Sequence, residues 1–173
     1  MKNHRLTRAA LLLALTLLFQ SLRLLIPIPA VATTFIIGSL VNACLLLAAY
    51  FSGFGPAFAI AVLAPVVAYF QQMLFVPIFI IPVALGNIIY ITLSLLLIKR
   101  KNGGIGIVVA AFAKAVFMFG SCTWLAAWLI LPEKVAAGLL FVMSWPQAVT
   151  GITGGWIAYS AGKRLGAFRR SEI

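Results

Sequence analysis

Long apolar runs, separated by short breaks, make up almost the whole chain. They predict six membrane-spanning helices, over residues 6–26, 34–51, 57–70, 77–98, 105–131 and 137–161. Most of these runs approach the roughly 20 residues that a helix needs to cross a bilayer. The breaks contain residues that end helices, such as Pro27 and Pro29 in the first and SGFGP in the second. The shorter second and third runs leave open a re-entrant pair, which would keep the chain termini on the same side.

Composition agrees with this pattern. Hydrophobic residues make up 64% of the 173 residues and charged residues 9%, and the mean hydropathy is +1.17. These values are typical of a polytopic membrane protein in which little chain lies outside the bilayer. We therefore expect an all-α membrane protein whose residues 1–173 form a single six-helix transmembrane domain in the lipid bilayer.

The basic residues predict the orientation of this domain. Of 13 lysines and arginines, ten fall at one set of helix ends and two, Arg23 and Lys134, at the other. The ten are Lys2, Arg5, Arg8, Lys99, Arg100, Lys101, Lys163, Arg164, Arg169 and Arg170. The positive-inside rule then places both termini in the cytoplasm. Because topology explains the net charge of +11, we expect no nucleic-acid binding.

One lysine lies inside a predicted span. Lys114 follows Ile105 by nine residues, which places it about 13 Å along the helix, near the middle of the bilayer. A lysine at that depth costs at least about 2.5 kcal/mol on insertion scales, and such residues often mark a pathway or a binding site. Two structural alternatives are snorkelling to the cytoplasmic surface and a hydrogen bond to helix-end carbonyls.

Catalytic motifs are not evident in the sequence. The only acidic residues are Glu133 and Glu172, so no predicted span carries a carboxylate for proton or sodium coupling. Cys44 and Cys122 fall in separate apolar runs and His4 in the N-terminal tail, so we expect neither a metal site nor a cofactor. The glycine-rich run before Lys163 lacks the spacing of a phosphate-binding loop. We expect a protein that is not an enzyme and does not hydrolyse ATP.

Two sets of small residues indicate close helix contacts. The last span carries Gly151, Gly154, Gly155, Ala158 and Gly162, which are suited to packing within the bundle. On the first span, Ala10-x-x-x-Ala14 forms a flat notch among leucines. It could pack inside the chain or serve as a docking face for another membrane subunit.

Polar and aromatic residues at middle or outer depth predict a pocket. They come from different spans: Arg23, Asn42, Gln71, Asn87, Tyr90, Trp124, Trp128, Trp145 and Gln147. Buried amides need partners, and several amides that converge within an apolar wall are the usual form of a small-molecule site. We expect residues 121–128 to form a wall of this pocket and Lys114 to lie at its floor or on a helix contact beneath it. Single tryptophans are also explained by an interfacial belt.

Three stretches carry a resemblance to a known family. The start LTRAALLLAL, the KRK connection after the fourth span and the ending SWPQAVTGITGGWIAYSAGKRL resemble the substrate-binding S component of energy-coupling-factor (ECF) vitamin transporters. The size and the six-span layout agree, so the resemblance covers essentially the whole chain.

The resemblance implies a transport function in a prokaryotic plasma membrane. The chain would capture a vitamin or related micronutrient from outside, under a loop that here would be residues 27–33, and would topple in the membrane to deliver it. A membrane coupling subunit, contacted by Ala10 and Ala14, and two ABC-type ATPases would supply the energy. Physically, Arg23 and Lys114 favour a ligand with a carboxylate or phosphate. The alternative is a small membrane scaffold or assembly protein without a pocket, which predicts outer amides that point into lipid.

Overall fold

The structure is a computed structural model that describes residues 2–25, 29–74, 76–98 and 103–167. Within these ranges the chain forms seven α-helices and one short 3-10 helix. They are α1 Lys2–Leu25, α2 Ala30–Ser52, α3 Phe54–Phe70, the 3-10 helix Pro77–Phe79, α4 Ile80–Leu97, α5 Gly103–Trp128, α6 Glu133–Met143 and α7 Trp145–Arg164. Five segments are long and apolar enough to cross a membrane: α1, α2, α4 with the 3-10 helix, α5, and α6 with α7. The prediction of an all-α membrane protein is confirmed; the side that the termini face stays a prediction.

The predicted spans are close to the observed helices, with four corrections. The first helix begins at Lys2, so the basic segment is part of α1 rather than a tail. The last predicted span is divided at Ser144, because Pro146 occupies the first turn of α7 and cannot donate a backbone hydrogen bond there. Glu133 and Lys134 begin α6 instead of lying in a loop.

The loop expected over residues 27–33 is the fourth correction. Pro29 caps α2, and the Thr33 amide donates to the Pro29 carbonyl at 3.1 Å, so residues 30–33 already form the first helical turn. Proline suits a helix start because its φ is fixed near the helical value and a missing N–H costs nothing there. Residues 26–28 and the basic connection at 99–102 lie outside the described residues.

The helices observed for the second and third predicted spans differ in length. At 23 residues, α2 is about 34 Å long, whereas α3 has 17 residues and is about 26 Å long. Gly53 joins them with φ 90°, a left-handed value that favours glycine. The Ser52 hydroxyl donates to the Arg5 carbonyl at 3.0 Å, which places the start of α1 beside the end of α2. The helices α1 and α2 therefore run in opposite directions, and α2 has the length of a full crossing. A re-entrant arrangement of α2 and α3 stays a prediction.

Small residues bring the central helices into close contact. A Cβ on Gly154 would collide with the Ser39 carbonyl of α2, and a Cβ on Gly151 would lie 2.8 Å from the Ala111 Cβ of α5. The glycine-rich face of α7, predicted to be a packing surface, is thus confirmed as the contact of α7 with α2 and α5. This contact fixes how α7 faces α2 and α5.

Candidate functional site

A cavity of about 140 Å³ lies at the end of the bundle opposite the chain termini. Side chains from every α-helix and from the turn after α3 contribute to it. They are Gln20, Arg23, Thr33, Thr34, Ile37, Gly38, Val41, Asn42, Ala64, Pro65, Ala68, Met73, Leu74, Val83, Asn87, Lys114, Met118, Val142, Met143 and Gln147. Apolar walls with a few polar groups are the usual lining of a small-molecule site.

Lys114 is the buried cation of this cavity. Its side chain is 3% exposed, and its Nζ donates to Asn42 Oδ1 at 2.7 Å. The Nζ also lies 5.3 Å from the centroid of the Tyr90 ring, within cation–π range. Snorkelling to the surface is therefore wrong for this lysine, and its hydrogen-bond partner is a side chain rather than a helix-end carbonyl.

Asn42 is held in place by α7. Its Nδ2 donates to Thr150 Oγ1 at 3.3 Å, while the Thr150 hydroxyl donates to the Gln147 carbonyl at 3.3 Å. Asn42 is 3% exposed and Thr150 is 2% exposed. This chain of contacts orients the Asn42 amide so that its oxygen faces the Lys114 ammonium.

Gly86 of α4 has no side chain, and this leaves room for Lys114 on the neighbouring helix α5. A Cβ on Gly86 of α4 would lie 2.6 Å from Met118 Cγ and 3.6 Å from Lys114 Cγ. The aliphatic part of the lysine thus runs along α4 where that helix presents no side chain. Tyr90, one turn further along α4, donates its hydroxyl to the Gly151 carbonyl of α7 and closes the site from below.

The wall formed by α3 depends on a proline. Pro65 has no N–H, so the Ala61 carbonyl one turn earlier loses its helical partner. Asn87 of α4 donates to that carbonyl at 3.4 Å and supplies a substitute. The Asn87 amide that lines the cavity therefore also ties α4 to α3.

Gln20 and Arg23 line the α1 side of the cavity. Gln20 is 6% exposed, and its Nε2 donates to the Ala64 carbonyl at 3.2 Å. Its Oε1 is buried and has no hydrogen-bond partner among the described residues. Arg23, one turn later, is exposed and marks the mouth of the cavity.

The electrostatics of the cavity are one-sided. Lys114 and Arg23 are its two cationic side chains. The chain has two acidic residues, of which Glu133 is exposed at the start of α6 and Glu172 lies outside the described residues. Lys114 therefore has no carboxylate of this chain as a counter-ion in the described part of the bundle. A ligand with negative charge would be attracted to this floor, and a cation would be repelled.

Five of the ten residues predicted to bind substrate line the cavity: Arg23, Asn42, Asn87, Lys114 and Gln147. The other five do not line it. Gln71 donates to the Ser21 hydroxyl at 3.0 Å, and Tyr90 lies beneath Lys114. Trp145 packs against Phe35 at a centroid distance of 5.4 Å and is 54% exposed. The roles of all ten in binding stay predictions.

The expected wall over residues 121–128 is wrong in its placement. Trp124 and Trp128 are 67% and 65% exposed and stack on each other, with ring centroids 6.5 Å apart. Along α5, residues 114, 118, 122 and 126 are buried, whereas 112, 116, 120, 124 and 128 are exposed. The two series differ by two positions, or about 200° around a helix, and so lie on opposite faces. The two tryptophans belong to the outer surface.

Several lining residues were not identified from the sequence. Gln20, Thr33, Thr34, Met73 and Met118 all contribute to the cavity. A signal existed for Gln20, which is three residues before Arg23 and therefore on the same face of α1. Met118 likewise follows Lys114 by four residues. Thr33 gave no such signal, because a threonine hydroxyl can be satisfied within its own helix, as Thr33 is by the Pro29 carbonyl. Met73 lies in the turn after α3, where helical spacing gives no guide.

The small-residue face of α1 has no partner within the described chain. Ala10 and Ala14 are both exposed, as are the neighbouring Leu11, Leu15 and Leu18. Packing inside the chain, one of the two interpretations of the alanine pair, is therefore wrong. The face is available to lipid or to another subunit.

Comparison with known proteins adds no relatives to this description. No protein-family description, curated protein or solved structure matches the chain. Within the described residues, no three His, Cys, Asp or Glu side chains are grouped so that they could hold a metal ion. The cavity and the face of α1 are thus the features from which a function can be argued.

Proposed function

We propose that the chain is the substrate-binding membrane subunit of an ECF-type importer in a prokaryotic plasma membrane. It captures a vitamin-like small molecule and delivers it with the help of an ATP-driven coupling module. The observation that carries the proposal is the cavity at one end of the bundle, where side chains from all helices surround a buried lysine.

The polar groups of the cavity support binding rather than a purely structural role. Lys114, Asn42 and Asn87 lie within an apolar wall and are held by hydrogen bonds to α2, α7 and α3. A site that is organised before the ligand arrives loses less conformational entropy on binding. The scaffold alternative predicted amides scattered toward lipid, and the convergence of Asn42, Asn87 and Gln147 on one cavity disfavours it.

The exposed face of α1 supports a partner in the membrane. Ala10 and Ala14 lie one turn apart, and small residues at this spacing let a second helix approach closely. In the proposal this face meets the membrane coupling subunit, and two ABC ATPases bound to that subunit hydrolyse ATP. The chain itself binds and reorients and performs no chemistry.

Transport and binding should separate in variants of this face. We expect Ala10→Leu/Ala14→Leu to abolish uptake in cells that also produce the coupling module, because the added side chains keep the partner helix away. Ligand retention by the purified variant should be unchanged, since neither alanine lines the cavity. Ala127→Leu, which enlarges an exposed alanine on α5, is the matched control and should transport normally.

The measurement is uptake of radiolabelled water-soluble micronutrients, together with mass spectrometry of the small molecule that copurifies. Cells with the chain and the coupling module should accumulate one compound, and the same compound should be extracted from the purified chain. If no compound is accumulated and none copurifies, the proposal is wrong. If the double variant loses retention as well as uptake, α1 stabilises the bundle and is not a docking face.

A further inference from the structure

The Lys114 ammonium has one hydrogen-bond partner among the described residues, although an ammonium can donate three hydrogen bonds. That partner, Asn42 Oδ1, is a neutral amide. The nearby Tyr90 ring supplies a weak attraction for the cation but carries no charge. A buried charge is normally paired, and the described part of the chain offers Lys114 no carboxylate, so an anion on a bound molecule is a suitable counter-ion.

A second polar group of the cavity also lacks a partner. Gln20 donates through Nε2 to the Ala64 carbonyl, and this bond fixes which end of the amide is the oxygen. The buried Oε1 then has no donor among the described residues. Buried polar atoms are rarely left unpaired, so an N–H or O–H on the body of a bound molecule is a natural donor to this oxygen.

The cavity has one buried positive charge, and this limits the negative charge of a molecule that it can bind. Lys114 is the single buried cation of the cavity, since Arg23 is exposed at the mouth. A carboxylate carries one negative charge, whereas a phosphate monoester carries about 1.5 to 2 near pH 7 and has more oxygens to satisfy. One buried ammonium therefore matches a carboxylate better than a phosphate.

The size of the cavity limits the part of the molecule that it can enclose. Its volume is about 140 Å³. An engineered cavity of about 150 Å³ in another protein takes up benzene, so a volume of this order holds one six-membered ring or a chain of similar bulk. Ile37, Val41, Pro65, Val83 and Met118 give that body an apolar wall.

We propose that the cavity binds a small monocarboxylate, with its carboxylate on the Lys114 ammonium and a body of about one ring against the apolar wall. The inference rests on the proposed function, because it names the chemical class of the captured molecule. Uncharged and cationic molecules of the same shape are rejected, since they leave the buried ammonium unpaired or repel it.

Matched probes test the charge requirement in the purified chain, without coupling subunits. Benzoate, benzamide and benzylamine share a ring and differ in charge, and phenyl phosphate replaces the carboxylate by a phosphate. Binding of each is measured by calorimetry and by the shift of the thermal midpoint. We expect benzoate to bind at least about 100-fold more tightly than each of the other three, the usual effect of a buried charge pair.

Substitution of the lysine tests the assigned contact. Lys114→Met should weaken benzoate binding on the order of 100-fold. Lys134→Met makes the same change at an exposed position of α6 and should bind normally. If Lys114→Met does not fold, Asn42→Asp provides the second test, because a carboxylate at that position would neutralise Lys114 from within and exclude benzoate.

The outcomes distinguish this inference from the function on which it rests. Equal binding of benzamide or benzylamine, or tighter binding of phenyl phosphate, would overturn the monocarboxylate assignment. Full benzoate binding by Lys114→Met would overturn it as well, and so would full binding by Asn42→Asp where Lys114→Met does not fold. So would the failure of all four probes to bind. In each of these cases the proposed importer function still stands if a micronutrient is accumulated and copurifies, and it falls only if that experiment also fails.

Discussion

Asn42→Asp exchanges a neutral partner of Lys114 for a charged one of nearly the same shape. In the native chain Asn42 Oδ1 accepts from Lys114 Nζ at 2.7 Å. The second oxygen of an aspartate would replace the Nδ2 that lies 3.3 Å from Thr150 Oγ1, and the Thr150 hydroxyl could donate to it. The substitution thus creates an internal ion pair whose oxygens both have donors.

The expected magnitudes follow from this geometry. An ion pair at about 3 Å gains about 5 kcal/mol at an effective dielectric constant of 20, which offsets most of the several kcal/mol that burial of a carboxylate costs. The stability of Asn42→Asp should therefore stay within about 1 kcal/mol of the native value. Asn42→Leu removes a hydrogen bond to a charged group and should cost about 2 kcal/mol.

Asn42→Asp should be the more stable of the two variants but the weaker binder of benzoate. The aspartate occupies the ammonium that a carboxylate ligand needs, so benzoate affinity should fall on the order of 100-fold in Asn42→Asp. Asn42→Leu leaves the ammonium free for the ligand, and benzoate should stabilise this variant more than it stabilises the native chain.

The assay is thermal unfolding in detergent with and without benzoate, supported by calorimetry. A loss of about 2 kcal/mol lowers the thermal midpoint by roughly 4–8 °C in a chain of this size. The electrostatic reasoning is refuted if Asn42→Asp is destabilised as strongly as Asn42→Leu and still binds benzoate like the native chain. That result would mean that Asn42 and Lys114 do not interact as the structure shows.

Three further predictions concern the bundle itself and use the same unfolding assay. Gly155→Leu should prevent folding, because even a Cβ at this position collides with α5. Gly120→Ala has open space around it and should raise the free energy of unfolding by about 0.5–1 kcal/mol. Equal effects of the two substitutions would contradict the packing described above. Asn87→Leu should lower the free energy of unfolding by about 1–3 kcal/mol, because the Ala61 carbonyl of α3 loses its donor. Adding Pro65→Ala should restore most of this loss, since the new backbone N–H can donate to the same carbonyl. Additive losses in the double variant would exclude a link between Asn87 and Pro65. Ile130→Gly should raise the free energy of unfolding by about 1 kcal/mol, because Ile130 follows α5 with φ 49°, a left-handed value at which glycine is preferred. A loss of stability would show that contacts of the isoleucine side chain outweigh this backbone strain.

The helix boundaries could be predicted well where proline or glycine ends an apolar run. The fourth span, predicted over residues 77–98, is observed as the 3-10 helix Pro77–Phe79 followed by α4 Ile80–Leu97. Errors arose where one residue can act in two ways. The sequence predicts Pro29 to lie in a loop, but it caps the start of α2. It predicts Pro146 to lie inside one helix, but Pro146 begins α7 after the break at Ser144.

The candidate site could be predicted only in part. Lys114, Asn42 and Asn87 were identified because polar groups in an apolar span require partners, and this holds in whichever direction they point. The tryptophans gave no such signal, since an aromatic ring suits a pocket wall and a lipid interface equally well. Trp124 and Trp128 proved to lie on the exposed face of α5.

The sequence by itself determined an all-α membrane protein with very few acidic residues and a lysine near the middle of one span. Length, hydropathy and charge are properties of the chain that do not depend on which helices meet. The tertiary structure alone decided that Lys114 meets Asn42 across α2 and α5 and that Ala10 and Ala14 remain exposed. In a bilayer both the lipid-facing and the buried sides of a helix are apolar, so hydrophobic periodicity does not reveal which face is inside. Packing of the glycines on α7 against α2 and α5 settles that choice.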